Sequence, residues 1–156
     1  MNVEARVEPL RGQLPIMHWR WDAETDILSG SLDPGPGGTG LTGTVELTDG
    51  EGSIAVLDVA GGVLRGLDVV VWPEVSSVPT LAAPAPAQDG RIVIPARVSQ
   101  PGIAALELDT TLSVSTDSEE RVFHLRIGSR RPVEVVRTAD RLLVELDQRR
   151  QLAGFW

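Results

Sequence analysis

Three aspartates come closest to a reactive site by residue type and spacing. Asp22 and Asp26 follow one predicted strand and Asp58 ends another, so their carboxylates could bind a cation together. Aspartates at such positions also cap tight turns, because their side-chain oxygens accept hydrogen bonds from nearby backbone N–H groups. Capping explains all three residues without an ion, and we therefore predict no metal site.

The histidines offer little more for catalysis. His18 and His124 are the only two, and with Asp22 they do not show the defined spacing of three or four ligands that a zinc site requires. The chain has no cysteine, lysine or tyrosine, and it lacks the Gly-x-Ser-x-Gly and His-Glu-x-x-His motifs. Since acid–base catalysis draws on these residues, we predict a protein that is not an enzyme and has no cofactor.

Tryptophan is the more informative residue type, with four of the six aromatic side chains. Trp19 and Trp21 have the same parity on one predicted strand and so share a face, whereas Trp72 and Trp156 end strands. Tryptophans beyond the needs of a core often anchor interfaces, because they bury a large area at low entropic cost. Filling the core is the equal alternative, and we take all four as candidate interface residues.

The elements that must position these residues are predicted to be strands. Apolar and polar residues alternate with period two in short segments, and Gly, Pro, Asp or Ser separates nearly all of them. Only 139–153 has a helical alternative. The run Asp33–Gly40 holds two prolines and four glycines and predicts a long hairpin loop; a phosphate cradle would need a helix after it. We predict an all-β fold with little or no helix.

Two stretches of the chain are nearly the same. In 54–68 and 143–155 an apolar strand reaches Leu-Asp, a turn follows, and the chain resumes as Leu-x-Gly-apolar. Such a repeat indicates a duplicated hairpin. We therefore predict two antiparallel β-meander units packed as a sandwich-like pseudo-dimer. The predicted organisation is an N-terminal arm (1–16), a first repeat (17–75), a Pro/Ala-rich linker (76–90) and a second repeat (91–156).

Charge and hydropathy limit the partners. The net charge is −8, and residues 1–80 hold 12 acids against 4 arginines, which disfavours nucleic acid. The exception would be a separate basic face formed by Arg126, Arg130, Arg131, Arg137 and Arg141. No apolar run is long enough to span a bilayer and no signal segment is present, so we expect a cytoplasmic protein.

Residues 17–75 resemble a small bacterial β-rich family of unknown function. Its members open with aromatic-Asp-x-Glu-x-Asp-x-Leu and close with Leu-Asp-x-x-Gly-x-Leu-x-Gly. Here the opening corresponds to 21–29 and the close to 57–68, where one more residue separates Gly61 from Leu64. Residues 104–156 are similar to a decayed second copy, without the second opening aspartate and with Arg149-Arg150 in the turn. The resemblance implies a β meander that pairs with another copy of itself and brings no established activity.

These observations predict a non-catalytic accessory or structural subunit. We expect its sheet edges, its tryptophans and its N-terminal arm to dock on other protein subunits. One such assembly is a bacterial membrane complex, for example a photosynthetic reaction-centre and antenna assembly, with this protein bound at its cytoplasmic face. No sequence motif points to that assembly. The first alternative is an antitoxin-like or regulatory binder of one small protein, which toxin-like genes beside some family members suggest. The second alternative is a small enzyme or ligand-binding barrel, which would need a deep pocket lined by Arg and Asp.

Overall fold

Two β-sheets packed face to face form the protein. The computed structural model describes residues 3–10, 12–32, 42–94 and 103–156, and in these ranges every regular element is a strand. The all-β prediction is therefore confirmed. Residues 139–153, the segment that could alternatively have been a helix, form parts of three strands. The predicted loop Asp33–Gly40 lies outside the described residues. No helix of the described chain has the length and apolar character needed to cross a membrane.

Sheet 1 contains eight strands. They are β1 (Arg6–Glu8), β2 (Met17–Asp22), β3 (Ile27–Leu32), β4 (Thr42–Asp49), β5 (Ile54–Ala60), β6 (Val63–Val71), β9 (Arg91–Val93) and β10 (Ile103–Thr110). Their main order is β1-β9-β6-β5-β4-β10, and β3 pairs with β6 and carries β2 at its other edge. All of these pairs are antiparallel except β4 with β10, which is parallel.

Sheet 2 contains seven strands. They are β7 (Val75–Ser77), β8 (Gln88–Asp89), β11 (Leu112–Thr116), β12 (Phe123–Ile127), β13 (Val133–Ala139), β14 (Leu142–Asp147) and β15 (Leu152–Phe155). Their order is β7-β11-β12-β15-β14-β13-β8, so β7 and β8 lie at opposite edges. Both edge strands run parallel to their neighbours.

One hydrophobic core lies between the sheets. Alternate residues point to it in strands such as β5, where Ala55, Leu57 and Val59 are buried. Sheet 2 contributes Val144 and Leu146, each 0% exposed. A single cluster of buried side chains joins residues of both sheets, which is the packing that makes a sandwich.

The N-terminal arm is part of the sandwich. Val3 and Ala5 are buried, and their backbones bond to the turn that precedes β15 through Val3 O with Leu152 N and Ala5 N with Arg150 O. The next residues form β1 on β9. Hydrogen bonds and burial therefore hold these residues to both sheets, and the docking role expected of the arm stays a prediction.

Both stretches that suggested a repeat are antiparallel hairpins, β5–β6 and β14–β15. Their turns differ. The first turns at Gly61 and Gly62, both with positive φ, and its Leu57-Asp58 pair lies inside β5; the second turns after Leu146-Asp147, at the end of β14. In addition, β9 and β10, which follow the 76–90 segment, belong to sheet 1. The sheet boundary thus does not coincide with the predicted boundary between repeats.

Candidate functional site: an aromatic cavity at one end of the sandwich

A cavity of about 480 Å³ lies where β12 and β14 begin and β6 and β15 end. Residues of both sheets line it, and three of the four tryptophans, Trp19, Trp72 and Trp156, are among them. Aliphatic side chains such as Leu28 and Leu142 form much of the remaining wall. The structure therefore brings together residues that lie more than a hundred positions apart in the chain.

Trp19 and Trp21 are positioned by β2. They pair with Gly30 and Leu28 of β3, and their shared parity places them on one face, as the sequence predicts. Gly30 matters here, because a Cβ at this position would lie 2.6 Å from the Trp19 ring. The missing side chain lets the Trp19 indole lie across β3. Its Nε1 donates a hydrogen bond of 3.2 Å to the carbonyl oxygen of Arg141 in the β13–β14 turn.

Trp72 lies between two other aromatic side chains. Its ring centroid is 6.0 Å from that of Trp21 and 5.8 Å from that of Phe123, both in tilted geometry. Its Nε1 donates a hydrogen bond of 2.6 Å to the carbonyl oxygen of Asp26. Asp26 has φ +56°, a left-handed conformation that aspartate tolerates in tight turns. The aromatic row Trp21–Trp72–Phe123 thus connects sheet 1 to sheet 2.

Trp156 stacks on a buried polar pair. The His124 imidazole lies parallel to it with ring centroids 4.1 Å apart, and His124 Nε2 is 2.6 Å from Glu145 Oε1. The side chains of His124 and Glu145 are 16% and 9% exposed. Buried polar groups need partners, and this pair supplies them. The Trp156 Nε1, in contrast, is buried and has no hydrogen-bond partner among the described residues.

Three charged residues line the cavity. Arg121 forms an exposed ion pair of 3.0 Å with Glu119, and Asp140 Oδ1 accepts a hydrogen bond of 2.8 Å from Met17 N. The exposed side chain of Arg141 also lines the cavity, and its guanidinium makes no hydrogen bond or ion pair with the described part of the chain. Within the described ranges, the positive charge of Arg141 therefore borders the apolar cavity without a partner.

The predicted linker is a strap on sheet 2. Its first residues form β7 at one edge and its last form β8 at the other, so the ten residues 78–87 must connect the two edges. The strap begins with a turn, in which Leu81 N donates a hydrogen bond to the Val78 carbonyl oxygen. Residues 82–86 have neither helix nor turn, in line with the extended course that their Pro/Ala composition predicts. Ala83, in its middle, lines the cavity.

Exposed apolar side chains gather beside the cavity. The described chain has six large exposed hydrophobic residues, and four of them are Trp21, Val71, Val75 and Val78. Val71 ends β6, Val75 begins β7 and Val78 directly follows β7. Trp21, 53% exposed, contacts Trp72, the residue after β6. We call these four residues and Trp72 the rim patch.

The aspartates and histidines do not form a site. Asp22 Oδ1 accepts hydrogen bonds from Glu24 N and Thr25 N, the expected turn cap, whereas Asp58 lies within β5 rather than in a turn. His18 is on β2 of sheet 1 and His124 on β12 of sheet 2. Among the described residues, no three His, Asp or Glu side chains are grouped so that they could hold a metal ion.

Ion pairs divide the arginines that could have formed a separate basic face. Arg131 Nε lies 2.9 Å from Asp147 Oδ2, and Arg137 binds Asp89 of β8 through two hydrogen bonds of 2.9 Å. Arg141 lies instead at the cavity. The five arginines therefore do not present one set of free guanidinium groups.

Sequence reasoning did not identify Phe123, Glu145 or Ala83 as residues of this region. Nothing local distinguishes them, because each takes its place through pairing between distant segments. Arg141 carried a weak signal: it follows Asp140 in a two-residue turn between apolar strands, where a side chain must point to solvent or to a neighbouring element.

No protein-family model matches the chain, and no curated protein matches its sequence. The resemblance of 17–75 to a bacterial family therefore stays a prediction, and the geometry of the aromatic end is the basis for a function.

Proposed function

We propose that the protein is a non-catalytic accessory subunit that docks on another protein through the rim patch. The observation that carries this proposal is the exposure of Trp21, Val71, Val75 and Val78 at one end of the sandwich, beside a row of aromatic rings. Exposed apolar groups that are gathered rather than scattered are typical of interaction surfaces, and tryptophan is enriched at their centres.

Charges around the patch indicate the chemistry of the partner. Asp22, Glu24, Asp26 and Glu74 lie on the same turns and segment as Trp21 and Trp72, with Arg20 as the nearby cation in sequence. The net charge of the whole chain is also negative, at −8. We therefore propose a protein partner whose apolar surface is bordered by lysine or arginine, since opposite charges steer association and fix register.

The proposal includes the location expected from the sequence. The partner belongs to a larger assembly, and a bacterial membrane complex approached from the cytoplasm is the form that we expect, with a photosynthetic complex as one instance. The absence of catalytic motifs supports docking over an enzymatic role.

Two variants of the full chain test the docking. Trp21→Ala removes the most exposed aromatic side chain of the patch, and Val133→Ala removes an exposed apolar side chain at the start of β13, at the far end of sheet 2. Soluble and membrane fractions of the source organism's lysate are passed over each immobilised protein, and a captured partner is then purified and its affinity measured by calorimetry.

We expect Trp21→Ala to weaken the purified pair by about 30-fold, the loss typical of a tryptophan hot spot. Val133→Ala should keep the affinity, and added salt should slow association. Equal binding by both variants, or recovery of the chain alone from both fractions, would contradict the proposal.

A further inference from the structure

The interior of the cavity is distinct from the exposed side chains of the rim patch, and Trp72 is the one patch residue that also lines the cavity. Its volume of about 480 Å³ falls in the range of small-molecule sites, which are about 300–1,000 Å³. Such sites have mainly apolar walls and a few polar groups that orient the ligand. This cavity has that composition, with aromatic and aliphatic walls and three charged residues, Arg121, Asp140 and Arg141.

The indole groups on the wall offer few hydrogen bonds to a ligand. The Nε1 atoms of Trp19 and Trp72 already donate to the carbonyl oxygens of Arg141 and Asp26. The Nε1 of Trp156 has no hydrogen-bond partner among the residues that the structure describes, but it is not accessible to solvent. A polar ligand body would therefore lose hydrogen bonds to water without replacing them, so the body of the ligand must be apolar.

The charged residues select the head group. Arg121 pairs with Glu119, and Asp140 accepts the hydrogen bond from Met17 N, whereas the Arg141 guanidinium is unpaired within the described chain. A guanidinium presents parallel donors that match a carboxylate. Asp140, next to Arg141, repels a second negative charge, so a monoanion fits better than a dianion such as a phosphate monoester.

We infer that the cavity between the sheets binds a small amphipathic monocarboxylate, with its apolar chain or ring between Trp19, Trp72 and Trp156 and its carboxylate on Arg141. This inference goes beyond the proposed docking, which uses the outer rim and a second protein. The test below needs only the purified chain, so its failure leaves the docking proposal intact, and failure of the docking test leaves this one intact.

Sodium decanoate, below its micelle concentration, is the probe, and decan-1-ol is the matched ligand without charge. Calorimetry and tryptophan fluorescence report binding; the chain has no tyrosine, and three of its four tryptophans line the cavity. We expect saturable binding of decanoate, about 3- to 10-fold tighter than decanol, as for one charge-assisted contact at a partly exposed site.

Three variants locate the site. Arg141→Gln should reduce decanoate affinity to that of decanol, and Arg149→Gln, a control in the turn after β14 at the other end of the sheet, should change nothing. Ala83→Phe, an exposed strap position on the cavity wall, should weaken both ligands. Absence of saturable binding, equal affinity for the two ligands, or an unchanged preference in Arg141→Gln would overturn the inference, and an unaffected Ala83→Phe would overturn its location.

Discussion

His124 on β12 and Glu145 on β14 meet across the strand that separates them, with His124 Nε2 2.6 Å from Glu145 Oε1. The residue between them is Gly154 of β15, which pairs with Glu145 on one side and Arg126 on the other. Because glycine has no side chain, the imidazole and the carboxylate can close over β15. The pair in turn supports the Trp156 ring, which stacks on His124 at one wall of the cavity.

Gly154→Ala should destabilise the protein. A Cβ at this position would lie 2.7 Å from the carbonyl oxygen of Leu125, a backbone atom that cannot move aside, and would also overlap the Glu145 carboxylate. We expect a loss of about 1–3 kcal/mol, as for other overpacked sites. Urea unfolding measures it. Gly50→Ala is the control, since a Cβ there meets nothing within 4 Å; equal stability of the two variants would contradict the account.

Asp147→Asn should remove stability that depends on pH. Burial by itself raises the pKa of Asp147, but hydrogen bonds from the backbone of Gln151 and from the Arg131 side chain outweigh it and hold the pKa below its ordinary value. The folded state therefore favours the charged carboxylate. Its contribution is present above the unfolded pKa of about 3.9 and is lost as the pH falls through the folded pKa.

At pH 7 we expect Asp147→Asn to cost about 1.5–3 kcal/mol, the range for hydrogen bonds to charged groups, since this side chain is only 9% exposed. The difference from wild type should shrink as the pH falls below about 4. Urea unfolding at pH 7, 4 and 2 measures it, with the exposed Glu51→Gln as the control. A difference independent of pH would rule out the carboxylate charge as its source.

Asp68→Asn should act in the opposite direction. Burial raises the pKa of Asp68, a hydrogen bond from Ser29 lowers it in part, and the nearby Asp58 carboxylate raises it further, with a net increase. The folded state therefore binds this proton at a higher pH than the unfolded chain does. The contribution of Asp68 to the free energy of unfolding should therefore rise as the pH falls from above its folded pKa towards the unfolded pKa of about 3.9.

At pH 7 we expect Asp68→Asn to be more stable than wild type by up to about 1 kcal/mol, because the amide keeps an acceptor for Ser29 and removes the repulsion from Asp58. The advantage should vanish near pH 4. Thermal unfolding of both proteins across this range checks the prediction, and a variant less stable than wild type at pH 7 would contradict it.

A chain divided within the strap should fold only when both pieces are present. Fragments 1–80 and 81–156 each lack strands that the other supplies: β9 and β10 pair with β6 and β4 of the first fragment, and β7 pairs with β11 of the second. Circular dichroism and gel filtration should show each fragment unfolded alone and a folded 1:1 complex on mixing. Two independently folded fragments would instead support separate repeat units.

Local chemistry in the sequence determined several features of this protein. Period-two alternation indicated strands, and it placed Trp19 and Trp21 on one face, because successive side chains of a strand point to opposite sides. Asp22 was identified as a turn cap from its own position, since its side chain reaches backbone N–H groups two and three residues ahead. Pro and Ala likewise predicted that the strap runs over the surface without a helix, and most of its residues are exposed.

Only the tertiary structure decided how these pieces meet. Alternation shows which side of a strand is buried but not which strand lies beside it, so the parallel pairing of β10 with β4 could not be read from either segment. For the same reason, the cavity could not be predicted from the sequence. Its walls come from β2, from the segment after β6 and from the residue after β15. Whether Arg141 has an ionic partner depends on which side chains pack near it, and within the described chain none pairs with its guanidinium.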